Sequence, residues 1–131
     1  MQRRIILLGL VLSLAGGAAS GQSFGRWEKL GQREVALRQD YDVIHVGRSE
    51  GFFRQIKLNV KHNAVTVERL TVVYANGVHD DIPMGYLIRP ATDSRVIDLR
   101  GQDRQIRRVE MILKSVRNGK GRAVVELWGR R

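Results

Sequence analysis

The sequence contains no cysteine. That excludes a disulfide framework, a thiol nucleophile, a thiolate metal site and the lipid-modified cysteine of a bacterial lipoprotein. Aromatic side chains are few: two Trp, three Tyr and three Phe among 131 residues. Most stand at core-like positions, whereas recognition of nucleic acid by stacking needs exposed rings interleaved with cations. No specific nucleic-acid partner is therefore expected. Acids are scarce as well, with 13 Asp and Glu against 23 Lys and Arg. No serine stands in a nucleophile-elbow pattern, so nucleophilic catalysis has no support. No low-complexity tract or linker divides the chain.

What the sequence does have begins with its first twenty residues. Met1-Gln2-Arg3-Arg4 is a short cationic start, Ile5 to Ala15 is apolar, and Gly16 to Ser20 is a stretch of small residues. This is the layout of a secretory signal peptide, with cleavage expected after Ser20 and Ala19 as the near alternative. The apolar run is shorter than the ~20 residues a spanning helix needs. The expected products are a signal peptide (1–20) and one domain (21–131), exported to the periplasm or secreted, with no transmembrane segment after cleavage. A domain of that length buries a useful core without covalent staples.

Charge is the loudest compositional feature. Removing Arg3 and Arg4 leaves 21 cations against 13 acids, and arginine supplies 16 of the 21. Arginine's planar fork binds carboxylate and phosphate through two bonds at once. A basic exported domain is drawn to anionic envelope surfaces, phosphorylated lipid or acidic glycan. The plain alternative is a surface whose charge only keeps the domain soluble.

Along the mature chain the dominant period is two, the signature of half-buried strands. Phe52 to Val60 alternates with Phe52, Ile56, Leu58 and Val60 on one face. Ala64 to Tyr74 is rich in β-branched residues, and Lys61-His62-Asn63 before it reads as a hairpin turn. Asn76-Gly77 suits a tight turn, so Val78 to Ile88 reads as a returning strand, bulged near Pro83 and Gly85. Arg95 to Leu99, Ile106 to Val116 and Ala123 to Trp128 continue the rhythm. Trp27 to Leu30, Glu34 to Leu37 and Asp42 to Val46 supply three shorter strands at the front. About nine closely spaced strands predict an all-β, single-domain β-sandwich, jelly-roll-like in connectivity. Trp27 and Trp128 are expected to close one edge of the core if the terminal strands are neighbours.

Several segments resemble a known family. Asp42 to Leu58 (DVIHVGRSEGFFRQIKL), Val73 to Gly77, Ser94 to Gly101 and Val125 to Gly129 are similar to the signature pieces of an uncharacterised family of small exported bacterial β-domains, domain of unknown function 2541. The resemblance covers most of residues 27–129. It implies an exported β-sandwich and supplies no catalytic residue.

Candidate site residues follow from charge and loop chemistry. Gly47-Arg48-Ser49-Glu50-Gly51 can turn backbone N–H groups toward an anion, with Arg48, Ser49 and nearby Arg54 as added donors. Arg104 and Arg108 fall on one face of a strand and Arg107 on the other. Trp128, beside Arg130, and Tyr41 are the two aromatics open to a sugar platform, with a ring packed at an edge as the leading expectation. His45, His62 and His79 stand 17 residues apart; His45 and His79 with Asp80 form the alternative metal set, although their spacing is not a usual ligand motif. The acidic pairs Asp40/Asp42 and Asp80/Asp81 suit calcium or acid–base hydrolysis, or simply pairing with arginine. No cofactor is expected. The leading reading is a non-enzymatic envelope binding module for an anionic ligand. The alternatives are a structural or partner-binding domain and, third, a glycan-acting hydrolase. Oligomeric state is not legible in the sequence.

Overall fold

A computed structural model of the chain describes residues 25–38, 40–47, 50–101, 103–114 and 121–131. The expected leader and its expected cleavage site, Arg48 and Ser49 lie outside these residues. Ten strands run in chain order: β1 (Glu28–Ala36), β2 (Tyr41–His45), β3 (Phe52–Phe53), β4 (Gln55–Lys61), β5 (Val65–Tyr74), β6 (His79–Ile88), β7 (Thr92–Asp93), β8 (Ile97–Asp98), β9 (Arg104–Lys114) and β10 (Arg122–Arg130). The first sheet is ordered β8-β4-β10-β1, with β7 also on β4; the second is β2-β9-β5-β6, with β3 also on β9. Every pairing is antiparallel. The chain crosses between the sheets repeatedly, which makes an all-β, jelly-roll-like sandwich.

The core lies between the inner faces and is filled almost wholly by Val, Leu and Ile. Alternation places them there. Ala123, Val125 and Leu127 of β10 are fully buried, and Val109, Met111 and Leu113 of β9 face them from the other sheet. Each such aliphatic side chain contributes about 1.5–3 kcal/mol by leaving water. Two glycines let the layers meet. A Cβ on Gly129 would lie 2.8 Å from Leu30 Cδ1 and 3.0 Å from Phe53 Cδ1, and one on Gly31 would lie 2.9 Å from Ile44 Cγ2.

Four sequence expectations change. The two expected strands Trp27–Leu30 and Glu34–Leu37 merge into one, Glu28–Ala36, with Trp27 and Leu37 just outside it, because the chain near Gly31 takes a register slip opposite Leu127/Trp128 instead of a turn. Lys61-His62-Asn63 does turn, with His62 at φ 78°, but it joins β4 of one sheet to β5 of the other. It is a link between layers, not a hairpin. Phe52 is 55% exposed and Phe53 is fully buried, the reverse of the alternation that Ile56, Leu58 and Val60 obey. The phase breaks at Arg54, where the chain leaves β9 of the second sheet and joins β10 of the first. The terminal strands are neighbours, yet the two tryptophan rings lie outside the core.

Candidate functional site

The ends of β2, β5 and β9 and the short β3 meet at one end of the sandwich. Arg107 sits where β9 slips register against β5, between Ile106 and Arg108. The slip follows from the sequence: Ile106 and Val109 both enter the core although they are three residues apart. The extra residue turns Arg107 to the end of the sheet. There its guanidinium donates to the Ala75 carbonyl at 2.7 Å, and its own carbonyl accepts from Val46 N at 3.0 Å. Arg104, the first residue of β9, lies flat on the Tyr74 ring at 3.7 Å and donates to the Arg100 carbonyl at 2.9 Å.

Beside these arginines lies a cleft of about 400 Å³, lined by Val46, Ala75, Gln105, Ile106 and Arg107. It adjoins a second of about 220 Å³, which shares Ala75 and Gln105 and adds Phe52, Tyr74, Asn76, Asp103 and Arg104. Arg104 and Arg107 are fixed by neutral partners, a ring and two carbonyls. Among the described residues no carboxylate stands within ion-pair distance of either. Two pre-oriented guanidiniums outside any direct ion pair are suited to an anion, although Asp103 also lines the smaller cleft.

Tyr74 anchors this end. Its ring is buried and its hydroxyl donates to Asp80 Oδ2 at 2.8 Å. Burial, then the bond to Asp80, pushes the phenol well above its ordinary range. Arg100 donates to the other Asp80 oxygen and holds that carboxyl below its ordinary range against the opposing effect of burial.

The other sequence candidates divide. Val46 lines the larger cleft; Arg48 and Ser49 lie outside the described residues. Arg54 pairs with exposed Asp103 at 3.7 Å, on the rim of the smaller cleft. Arg108 does not share a face with Arg104, because the slip at Arg107 reverses the alternation between them; Arg108 points outward and pairs with Glu110 at 2.8 Å. Trp128 lies on the outer face of the first sheet and donates to Glu126 Oε1 at 3.0 Å.

The His45, His79 and Asp80 metal set is not assembled. In the second sheet His45 and His79 occupy opposite edge strands, separated by β9 and β5, roughly 14 Å at the usual strand spacing. The described residues contain no group of three or more acids and histidines that could hold a metal ion. The acids serve the fold: Asp42 takes Arg33 at 2.6 Å, and Asp81 accepts from Thr71 at 2.7 Å. Sequence reasoning missed Tyr74 and set Arg107 apart from its neighbours. The spacing Ile106–Val109 was the available signal for a bulge there.

A family model described as a domain of unknown function, DUF2541, matches residues 5–129. No curated protein matches the chain. Among solved structures it is similar to AlgX of Pseudomonas aeruginosa, at 14% identity and a TM-score of 0.49, covering 97% of this chain and 34% of AlgX. It is similar to a mutant of a family 29 carbohydrate binding module, at 12% identity and a TM-score of 0.36, covering 81% of this chain and 92% of the module. A third likeness is to a structure of infectious bursal disease virus, Gx strain, at 10% identity and a TM-score of 0.38, covering 98% of this chain and 35% of that one. The chain thus spans about a third of the AlgX and viral chains.

Proposed function

The chain belongs to DUF2541, a family whose function is unknown, and from that premise we propose that this protein is an exported, non-catalytic binding module for an anionic envelope ligand, an acidic glycan or a phosphorylated lipid. One observation carries the reading: Arg107 and Arg104 line two adjoining clefts that share Ala75 and Gln105, each held in place by neutral groups and neither in an ion pair with a carboxylate among the described residues. An arginine already paired with an acid must break that pair to take a ligand; these two need not. The leader-like first twenty residues support export, and the basic balance of the whole chain favours encounter with polyanions.

The test is calorimetric titration of the chain with polygalacturonate fragments and with phosphatidylglycerol vesicles at low salt. At least one is expected to bind. Arg104→Ala and Arg107→Ala are each expected to weaken it by about tenfold or more, since hydrogen bonds to charged groups contribute roughly 1.5–3 kcal/mol. Arg108→Ala, whose guanidinium is engaged by Glu110 on the outer face, is expected to change affinity less than about twofold. Equal binding by the Arg104 and Arg107 variants, or no binding to either probe, overturns the assignment.

A further inference from the structure

The outer face of the first sheet carries a different kind of surface. Both tryptophans of the chain belong to it. Trp128 alternates with buried Leu127 and Gly129, so its side chain faces outward. Trp27 precedes β1, and its ring lies 4.5 Å from the Arg130 guanidinium on β10 and 4.4 Å from Lys57 Nζ on β4. A ring that starts at β1 and meets groups on the next two strands lies along the sheet and does not stand off it. Cation–π attraction fixes it there.

The polar groups beneath and beside the rings are locked to each other. Arg130 Nε donates to Gln55 Oε1 at 2.7 Å, and Gln55 Nε2 donates to Asp98 at 2.6 Å. Lys57 and Asn59 both hold Asp93, at 2.9 and 2.7 Å. Glu126 is buried although it points outward; it takes the indole N–H of Trp128 and lies 3.2 Å from Lys29 Nζ. Around the rings, then, three cations meet three acids, with amides between them. Next to the rings these charges balance, unlike those of the arginine cleft, with exposed Lys61 farther along β4, and the surface is too polar to suit a lipid bilayer or an apolar helix. What it does offer is the half-buried Asn59 amide and the exposed Asp93 and Asp98 carboxylates beside aromatic faces, held in place from beneath by buried Gln55 and Glu126. Hydroxyl groups satisfy such amides and carboxylates, and the positively polarised C–H bonds on the flat side of a pyranose suit the negative face of a ring.

We infer that this face is a docking surface for a neutral glycan chain, of the extended, equatorially linked kind whose flat sugar rings can follow a sheet across both tryptophans. It is independent of the cleft: different residues, a different sheet and an uncharged ligand. Electrostatic complementarity commits the occupant, because a charged chain would meet a balanced surface and gain nothing from it.

The chain's tryptophan emission reports on this face alone. The experiment titrates the wild-type chain with cellohexaose and with chitohexaose, following emission and its quenching by acrylamide, with polygalacturonate as the charged comparison. The expected result is a saturable emission change and reduced quenching with at least one neutral chain, unaltered by about 0.5 M salt, which screens only exposed charges. Gln55→Ala and Asn59→Ala keep both reporters and are expected to weaken that response by about tenfold. An Arg104→Ala/Arg107→Ala double variant is expected to leave it within about twofold, so loss of cleft binding is read separately. The inference is overturned if neither neutral chain changes the emission, if only polygalacturonate does, or if the Gln55 and Asn59 variants respond as the wild type.

Discussion

Tyr74 shows how one residue couples stability to the candidate cleft. Its ring carries Arg104 and its hydroxyl is buried against Asp80. Asp80→Ala leaves that hydroxyl without its acceptor and frees Arg100, and a buried donor left unsatisfied costs about 1–3 kcal/mol; urea denaturation at neutral pH reads the loss. The pH dependence has two limbs. The Asp80 carboxyl is depressed in the folded state, chiefly by Arg100, so its contribution is present above the ordinary carboxylate pKa of about 4 and is lost as pH falls through the folded value. The Tyr74 phenol is raised, chiefly by burial. Its contribution is present below the ordinary phenol pKa of about 10 and declines as pH rises beyond it. Tyr74→Phe is therefore expected to flatten the alkaline limb of a stability profile. A profile above pH 10 as steep as the wild type's would show that the phenol is not the group responsible.

At the scale of elements, the inner faces were readable and the joins were not. Period-two alternation correctly places Val109, Met111 and Leu113, and Ala123, Val125 and Leu127, because each of these strands stays in one sheet and keeps one face to the core. The Asn76-Gly77 turn and the bulge near Gly85 were also legible, since φ values of 88° and 69° favour glycine. What alternation cannot show is a change of sheet. Phe52 and Phe53 have identical side chains and opposite fates, because both pair with β9 of the second sheet, out of phase with β4, which follows in the first. The Arg104/Arg108 misassignment arises within one sheet, from a one-residue slip that reverses every later position. The cleft was half legible for this reason: its arginines stood out by composition, whereas Tyr74 and the grouping of Arg107 with Arg104 depended on a bulge. The tightest join yields a direct prediction. Gly129→Ala puts a methyl where Leu30 and Phe53 already are, and overpacking of this kind costs about 1–3 kcal/mol. Thermal denaturation is expected to show a midpoint several degrees lower; an unchanged midpoint would mean that Leu30 and Phe53 yield without cost.

For the whole molecule, the question is where a formal charge of +10 resides. Eight ion pairs among the described residues tie cations to acids across the surface. Three of them are exposed at both partners and contribute about 0–1 kcal/mol each; the others have a buried or half-buried partner, which salt screens less. Stability should accordingly depend little on ionic strength, while capture of an anion by the unmatched Arg104 and Arg107 should depend on it strongly. Affinity for polygalacturonate, plotted as log K against log salt, is expected to fall with a slope of about −1 to −2, from roughly one counterion released per arginine contact. Arg104→Ala should make that slope shallower by about one, with the denaturation midpoint of the wild type nearly constant over the same salt range. A slope that survives loss of both arginines would place the attraction in the diffuse charge of the surface, and the cleft would then be a feature of shape alone.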